Sequence, residues 1–371
     1  MDPYGARLQR LAEVAARHDL AAVALVPGSN LRYFTGLTAH LSERPFIAFA
    51  TRQAELAMVV PALEHAGLEL DASVASFTWR DEEGPERAFD RAAATLALSG
   101  RRLGVDGMTM RVSEWLALSR HVRGLEVVPV EGDLIKIRSI KSAVEVDAIR
   151  AAVAVSEKAL SALIAEATPG QSEAQLAARL DQLAAQEGSE GPAFATTVLS
   201  GPNSARPHGR PGTRRVAEGE ALLIDFGATV GGYPADITRT FCLGEPQAEL
   251  AALHELVLAA NRAAVAVSGP GVPMQAVDLA ARKVIDAAGH KEHFIHRTGH
   301  GMGLDVHEPI PQIAADVSDE LLEGMVFTIE PGVYLPGVGG VRIEDDVLVT
   351  ATGVEVLTSY PRELSPHGRT I

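Results

Sequence analysis

The segment Ala221–Phe241, ALLIDFGATVGGYPADITRTF, constrains the chain most, because it sets two acidic residues inside apolar, strand-like runs. The residues TVGG between the runs are typical of a turn. A turn centred between Val230 and Gly231 would place Asp225 directly opposite Asp236. Facing like charges with Cβ atoms about 4.5–5.5 Å apart destabilise a sheet. Among apolar neighbours such a pair requires a cation or a shared proton, and we expect a metal ion.

A second acidic pair follows the same pattern further along the chain. Glu330 lies in FTIEPGVYLPGVGGVRIEDD, and Glu344 lies beyond a loop rich in glycine and proline. A turn centred on Gly337 would place these two residues opposite each other. If the two hairpins are neighbours in the sheet, they supply four carboxylates to one place. Two such pairs inside apolar strands favour a metal site over structural salt bridges.

Histidines cluster between the two hairpins. The stretch HRTGHGMGLDVHEP holds His296, His300 and His307 within twelve residues, and its glycines allow the backbone to approach another group closely. A single histidine on an apolar face is usually structural, but three in a glycine-rich segment indicate a site. His208, in SGPNSARPHG, follows a predicted strand and is uninformative by itself.

The charges of this set suit two divalent ions. Four carboxylates balance two doubly charged cations, and one neutral histidine completes the ligands. Oxygen ligands with one imidazole suit Mn²⁺, Co²⁺, Fe²⁺ or Zn²⁺ and disfavour copper. Two ions about 3.5–4 Å apart can bridge and ionise one water at neutral pH. We therefore expect hydrolytic chemistry.

Two domains are expected from the order of the predicted elements. Residues 1–132 alternate strands and helices, which is typical of an α/β unit, and we interpret Asn30–Thr35 as one of its strands. Residues 133–371 order as helices, strands, helices and strands, which indicates an α+β unit with helices covering a mostly antiparallel sheet.

Charge and composition narrow the class of protein. The 371 residues carry a formal charge of −15, which argues against nucleic acid and anionic membranes as partners. Cys242 is the only cysteine, so neither an intrachain disulfide nor a thiolate zinc site is possible. The first residues lack the apolar core of a signal peptide, and no apolar run approaches roughly 18 residues. We expect a cytoplasmic protein without a membrane span.

Taken together, DFG followed by GYPADITRTF, HRTGHGMGLDVHEP, TIEPGVY and VRIED resemble the metallopeptidase family with the pita-bread fold. That family includes methionine aminopeptidase, aminopeptidase P, prolidase (Xaa-Pro dipeptidase) and the metal-free creatinase. The resemblance covers roughly residues 135–371 and implies a curved antiparallel sheet covered by helices. The smaller α/β part resembles the creatinase/prolidase amino-terminal domain, which methionine aminopeptidases lack. This favours the proline-specific branch.

The resemblance also implies a set of metal ligands. Asp225 and Asp236 would bind one ion, with Asp236 bridging. His300 and Glu330 would serve the second ion, and Glu344 would bridge both. All five positions are intact, which disfavours a creatinase. The implied cofactor is two divalent ions per subunit, with Mn²⁺ expected and Co²⁺, Zn²⁺ or Fe²⁺ as alternatives.

Further roles carry over to residues that are not ligands. His307 would donate a hydrogen bond to the developing oxyanion, and His208 would hold the substrate near its proline. His296 and Arg342 would line the pocket. Glu330 would also relay a proton to the leaving proline nitrogen.

Substrate length depends on what holds the proline carboxylate. Some prolidases resembling this chain carry an arginine four residues after the histidine matching His307, where this chain has Pro311. Arg44, in the loop HLSERP, is our candidate replacement, either from the same subunit or from a partner in the homodimer that the family commonly forms. We therefore favour a dipeptidase acting on Xaa-Pro, with aminopeptidase P as the alternative. A related non-peptide metallohydrolase and a metal-free binding protein are lower alternatives.

Overall fold

The computed structural model describes residues 3–364 of the chain, which forms two compact units with the boundary between Arg138 and Ser139. The boundary expected from the sequence lay between residues 132 and 133. The helix Glu131–Ser139 runs through that position, so the first unit continues along the helix to Arg138, one residue before its end.

The first unit contains six helices and six strands among its described residues. The helices are α1 (Pro3–Arg17), α2 (Ser29–Thr35), α3 (Ala62–His65), α4 (Glu86–Thr95), α5 (Val112–His121) and α6 (Glu131–Ser139). The strands are β1 (Ala22–Leu25), β2 (Ile47–Thr51), β3 (Leu56–Pro61), β4 (Ala75–Trp79), β5 (Arg102–Val105) and β6 (Glu126–Pro129).

The strands of the first unit form one mixed sheet in the order β4-β3-β2-β1-β5-β6. The pairs β1–β5, β3–β4 and β5–β6 are parallel, and the β1–β2 and β2–β3 pairs are antiparallel. Phe49 and Leu103 of the sheet and Phe89 of α4 are buried in one apolar cluster. The unit is therefore the α/β structure expected.

One predicted strand of this unit is wrong. Asn30–Thr35 belongs to helix α2, which ends at Gly36 in the left-handed region at φ +75°. Leu31 and Phe34 are both fully buried. Residues three apart share one face of a helix, so one face of α2, which packs against α1, buries both. The short apolar run fitted either element, and tertiary packing selected the helix.

The second unit combines four long helices with twelve strands among its described residues. The helices are α7 (Ala143–Glu166), α8 (Glu173–Gln186), α9 (Ala248–Val267) and α10 (Met274–Ala287), with 3₁₀ turns at Gly201–Ala205 and Lys291–His293. The strands are β7 (Thr197–Ser200), β8 (Ala221–Phe226), β9 (Thr229–Val230), β10 (Tyr233–Pro234), β11 (Ile237–Cys242), β12 (Gly299–Gly301), β13 (Glu308–Ile313), β14 (Val326–Ile329), β15 (Gly332–Leu335), β16 (Gly339–Arg342), β17 (Asp345–Thr350) and β18 (Gly353–Val356).

Antiparallel pairing joins all strands of the second unit that the structure describes. The sheets are β11-β8-β7 and β13-β12-β14-β17-β18, together with the ribbons β9–β10 and β15–β16. Helices α7 and α8 share an apolar core with the first sheet, and α9 and α10 share one with the second. This is the expected α+β arrangement of antiparallel sheets covered by helices.

Helix α9 is long and apolar enough to cross a membrane, with a mean hydropathy of 1.4 over its most apolar window. Its side chains Leu253, Val257 and Leu258 are buried in the core that α9 shares with α10 and the five-stranded sheet. Core helices of soluble proteins have the same length and composition. We therefore assign α9 to the core of the second unit.

Candidate metal centre

The first hairpin places its two aspartates in a register different from the one expected. Asp225 pairs with Thr238, so the turn is centred between Gly231 and Gly232, one residue later than predicted. Both glycines have positive φ, +59° and +76°, which glycine adopts without strain. The predicted direct opposition of Asp225 and Asp236 is therefore wrong. The correction moves the partner by two positions, and side chains alternate with period two, so both aspartates remain on one face.

The register predicted for the second hairpin is confirmed. Gly332 pairs with Arg342, so the turn is centred on Gly337. The neighbouring β14–β17 ladder keeps the same register. Glu330 and Glu344 lie at matching positions between these two ladders. The connecting loop thus brings a second pair of carboxylates to the centre.

The two hairpins and the histidine segment meet at one cavity of about 970 Å³ in the second unit. All predicted site residues of this unit line it, namely His208, Asp225, Asp236, His296, His300, His307, Glu330, Arg342 and Glu344. Three overlapping groups have ligand atoms within 4.8 Å of one another: Asp225, Asp236 and Glu344; His300, Glu330 and Glu344; Asp236, His300 and His307. The carboxylates and histidines expected to act together therefore lie together.

His300 presents an unprotonated nitrogen to the carboxylates. Its Nδ1 lies 3.1 Å from the carbonyl oxygen of Gly301, which can only accept, so Nδ1 carries the proton. Its Nε2 lies 3.6 Å from Asp236 Oδ2 and 3.6 Å from Glu330 Oε1. Burial lowers the pKa of His300 to about 3, and the imidazole is neutral at neutral pH. The lone pair of His300 and the carboxylate oxygens thus face one another, an arrangement that a cation satisfies.

The buried carboxylates repel one another when all of them are ionised and no cation lies between them. Burial, and then the charges of nearby carboxylates, raise the pKa values of Asp236 and Glu344 well above their usual range. Burial also raises the pKa of Glu330 to about 7, although the charge of Arg342 opposes this. Asp225 Oδ1 is buried and has no hydrogen-bond partner among the described residues. These oxygen ligands with one neutral imidazole fit a pair of divalent ions.

Arg342 holds the cluster together from one side. It donates to Asp225 Oδ2 at 2.5 Å, to the Tyr334 hydroxyl at 2.9 Å and to Thr238 Oγ1 at 3.1 Å. Thr238 Oγ1 in turn donates to Glu344 Oε2 at 2.5 Å. The Arg342 guanidinium is thus hydrogen-bonded to Asp225, Tyr334 and Thr238. The sequence identified Arg342 as a pocket residue but missed Tyr334 and Thr238, whose contacts arise only when the two hairpins pack.

His296 is a second neutral imidazole in the cavity wall. Its Nδ1 donates to the carbonyl oxygen of Arg297 at 2.7 Å, so its Nε2 accepts from the Tyr334 hydroxyl at 2.9 Å. Burial lowers the pKa of His296 to about 4. The hydrogen bonds run from Arg342 through Tyr334 to His296, which fixes the orientation of each ring.

His307 and His208 present their rings at the exposed part of the cavity. The His307 ring packs edge-on against His300 with centroids 4.0 Å apart. Burial, and then the positive charge of Arg297, lower the pKa of His307. A neutral His307 keeps one N–H with which it can donate to a substrate oxygen.

Arg44 belongs to the first unit, where it forms ion pairs with two acidic residues. Its Nη2 lies 2.6 Å from Asp81 Oδ2, and its Nη1 lies 2.9 Å from Glu43 Oε1. Within the second unit, Arg297 and Arg210 line the cavity and were not singled out from the sequence.

Comparisons with known proteins agree with this geometry. Residues 147–351 match metallopeptidase family M24, and residues 7–140 match the creatinase/prolidase N-terminal domain. The chain is 35% identical over 360 residues to the putative dipeptidase YkvY of Bacillus subtilis, covering 96% of this chain and 99% of that relative. It is also 35% identical over 362 residues to an Xaa-Pro dipeptidase of Pyrococcus furiosus, covering 96% and 99%.

Solved structures give the same result. The crystal structure of a recombinant prolidase from Thermococcus sibiricus superposes with a TM-score of 0.92 at 35% identity, covering 98% of this chain and 99% of that one. The family match spans the segments that carry both hairpins and the histidines. The chain therefore belongs to metallopeptidase family M24, with a creatinase/prolidase amino-terminal domain.

Proposed function

We propose that this protein hydrolyses the Xaa-Pro bond of dipeptides with two divalent ions, with Mn²⁺ as the expected metal. The observation that carries the proposal is one cluster of four carboxylates, of which Asp236 and Glu330 each lie 3.6 Å from the unprotonated Nε2 of His300. The names of the relatives, Xaa-Pro dipeptidase and prolidase, support the same bond as the target.

The three-residue groups suggest how the ions are shared. Asp225, Asp236 and Glu344 would hold one ion, and His300, Glu330 and Glu344 would hold the other, with Asp236 also reaching the second. Such ions, when bound, supply Lewis acidity and make a nucleophile available at neutral pH.

The remaining side chains bind and orient the substrate. His307 would donate its N–H to the scissile carbonyl oxygen, on which negative charge develops during attack. His208 would contact the proline side of the substrate. Glu330 would carry a proton to the proline nitrogen as the bond breaks, because the leaving nitrogen must gain a proton from a positioned side chain.

An Xaa-Pro bond calls for this kind of site because its amide nitrogen carries no hydrogen. A peptidase that binds the scissile N–H loses that contact at proline. A dedicated site must accept the pyrrolidine ring and protonate its nitrogen as the bond breaks. A bound cation and a positioned proton donor meet these requirements without an N–H.

Substrate length provides the direct test of the proposal. The protein loaded with Mn²⁺ is assayed on an Xaa-Pro dipeptide, an Xaa-Pro-Xaa tripeptide and an Xaa-Ala dipeptide. We expect kcat/KM to be highest for Xaa-Pro and low for the other two. Equal cleavage of Xaa-Ala would exclude the proline requirement.

Aminopeptidase P is the second candidate, because Pro311 stands where some prolidases carry a carboxylate-binding arginine. An open end of the cavity would then accept the longer peptide. Cleavage of the tripeptide as efficient as that of the dipeptide would assign this activity instead.

The residue that binds the proline carboxylate is proposed to be Arg44, and Arg297 on the cavity wall is the competing candidate. Arg44→Ala and Arg297→Ala are compared with Arg101→Ala, an exposed control. Each variant is assayed on Xaa-Pro and on its carboxamide. Loss of the anchor should raise KM for the free acid about tenfold and leave the amide unchanged. If Arg44→Ala has the same KM values as the Arg101→Ala control, Arg44 does not bind the proline carboxylate.

We also propose that the protein is a cytoplasmic homodimer. Arg44 would then act either at the active site of its own subunit or at that of the partner subunit. Mass measurement during size-exclusion chromatography tests the assembly. Mixing Arg44→Ala with an inactive His300→Ala variant then tests sharing, because only an arginine acting across subunits lets the mixed dimer recover low KM.

A further inference from the structure

A buried arginine lies on the far side of the strand that supports the metal centre. Arg239 follows Thr238 in β11, and strand side chains alternate, so Arg239 points away from the face on which Thr238 binds Glu344. Only 1% of the Arg239 side chain and none of Asp345 is exposed, and the two form an ion pair at 2.8 Å.

The Arg239 guanidinium clamps backbone that carries a proposed ligand. Its Nη1 donates to the carbonyl oxygen of Thr238 at 2.9 Å and to the carbonyl oxygen of Glu344. The Glu344 amide donates back to the Thr238 carbonyl at 3.1 Å. The side chain of Thr238 holds the Glu344 carboxylate from the other face. Glu344 is therefore fixed at its carboxylate and at its backbone.

Asp345 extends the network to the second acidic segment. Its Oδ2 accepts from Asn261 Nδ2 at 2.9 Å. The same Asn261 nitrogen lies 3.2 Å from the carbonyl oxygen of Ile329, the residue before Glu330. Asn261 is fully buried on α9. One network thus holds the backbone at Glu344 and beside Glu330.

The chain segment 358–362 completes this network. Thr358 Oγ1 and Arg362 Nε donate to the Asp345 carboxylate at 2.7 and 2.8 Å. The carbonyl oxygen of Tyr360 accepts from Arg239 Nη2 at 2.9 Å. The last described part of the chain is therefore hydrogen-bonded to the residues behind the metal centre.

Stability alone does not account for such a network. Burying an ion pair costs desolvation energy that often exceeds the attraction gained, so apolar residues of similar volume would serve a core equally well. Buried charged groups that are hydrogen-bonded on several sides, as Arg239 and Asp345 are, fix geometry instead. We propose that Arg239, Asp345 and Asn261 are positioning residues that set Glu330 and Glu344 for binding divalent ions. This inference rests on the proposed function only in requiring that the centre binds metal.

Metal affinity is the measurement that tests this role. Arg239→Lys keeps the charge and loses the planar fork, whereas Asn261→Ala removes one amide and is the milder change. Arg214→Lys is the matched control, because Arg214 forms a two-pronged ion pair with Glu220 in the same unit, away from the cavity wall. Mn²⁺ binding by calorimetry, the melting temperature of the metal-free protein, and KM and kcat are measured for each.

We expect Arg239→Lys and Asn261→Ala to weaken Mn²⁺ binding about 10- to 100-fold, as changes to groups supporting metal ligands do. KM for the dipeptide stays unchanged, and kcat falls. Arg214→Lys lowers the melting temperature and leaves Mn²⁺ affinity intact. If Arg239→Lys does not fold, Asn261→Ala decides the outcome.

Wild-type Mn²⁺ affinity in Asn261→Ala, or an equal loss in Arg214→Lys, overturns the inference. Failure of the proposed function has a different signature. In that case the wild-type protein binds Mn²⁺ but does not cleave Xaa-Pro, and the affinity comparison still decides the positioning role.

Discussion

The proton on His300 determines what the cluster can bind. Because Nδ1 donates to Gly301, the Nε2 lone pair meets two carboxylates at 3.6 Å. Protonating Nε2 would relieve the repulsion, but burial opposes it by lowering the pKa to about 3. In the metal-free protein the repulsion can then be reduced only by protonating the carboxylates, which agrees with their raised pKa values. A divalent ion replaces those protons.

The stability of the metal-free protein should therefore depend on pH. The pKa of Glu330 rises on folding from 4.5 to about 7, so the folded state binds more protons than the unfolded state between these values. The contribution of Glu330 to the free energy of unfolding is therefore fully present below pH 4.5 and is lost as the pH rises through 7. The loss from this one group is up to about 3 kcal/mol. Urea unfolding at several pH values, in the presence of a chelator, measures it.

Two variants control this pH experiment. Glu330→Gln should reduce the loss of stability between pH 4.5 and 7, with Asp236 and Glu344 accounting for what remains, whereas Glu323→Gln, which is exposed, should behave as wild type. Saturating Mn²⁺ should reverse the slope, because metal binding favours the ionised carboxylates. An identical slope in Glu330→Gln and wild type would contradict the account of the cluster.

A single histidine should account for part of the rate enhancement. His307→Ala removes the N–H proposed to bind the developing oxyanion, and kcat should fall about 10²- to 10³-fold with Mn²⁺ binding retained. The control is His65→Ala, in α3 of the other unit. His307 also lies within 4.8 Å of ligand atoms of Asp236 and His300. If His307→Ala binds one Mn²⁺ ion fewer than the wild-type protein, His307 is a metal ligand and not an oxyanion donor.

Residue types and spacing predicted that the four carboxylates and the clustered histidines would meet at one site, whereas His208 and Arg342 were predicted only through the family resemblance. The acidic residues stood inside apolar strands, where an unexplained charge is informative from sequence alone. Tyr334, Thr238 and Arg239 gave no such signal, since a tyrosine, a threonine or an arginine in a strand is ordinary. Their roles depend on which carbonyl or carboxylate packs against them, and that is set only by tertiary structure.

Among the elements, the first hairpin depends on its turn. Gly231 and Gly232 both have positive φ, and this two-residue turn sets the register in which Asp225 pairs with Thr238. Glu190 accepts from both glycine amides at 2.9 Å and holds the turn in place. The sequence predicted a turn here but missed its centre by one residue, because TVGG accommodates either.

Gly232→Val should therefore damage both stability and metal binding. A β-branched residue at φ +76° is strained by about 1–3 kcal/mol, and the hairpin can relieve the strain only by shifting the turn. We expect a lower melting temperature and weaker Mn²⁺ binding, each measured calorimetrically. Gly132→Ala in α6, with open space at its Cβ, is the control and should not destabilise the protein. Unchanged Mn²⁺ affinity in Gly232→Val would show that the geometry of this turn does not affect metal binding, contrary to our prediction.

Element type was predictable where a pattern was long and was ambiguous where it was short. Six residues, Asn30–Thr35, fitted a strand by composition and formed a helix because Leu31 and Phe34 share one helical face. The second hairpin was placed correctly, because Gly337 is the centre of a loop of glycine and proline that leaves few registers. Sequence reasoning was therefore reliable where turn chemistry was restrictive.

For the whole molecule, chemistry concentrates in the second unit. Its antiparallel sheets, covered by α7–α10, place residues from Asp225 to Glu344 on one cavity wall. Arg44 alone among the predicted site residues comes from the first unit. The order of elements predicted both units, but their boundary depended on the continuation of α6 to Ser139, which sequence patterns define poorly.

Metal content measured together with Xaa-Pro hydrolysis tests the central claim most directly. The full-length protein is stripped with a chelator, titrated with Mn²⁺, and assayed at each step on an Xaa-Pro dipeptide, with metal counted by mass spectrometry. We predict that activity is absent in the stripped protein and saturates at two ions per chain. Full turnover by the metal-free protein, or two bound ions without cleavage of Xaa-Pro, would contradict the account.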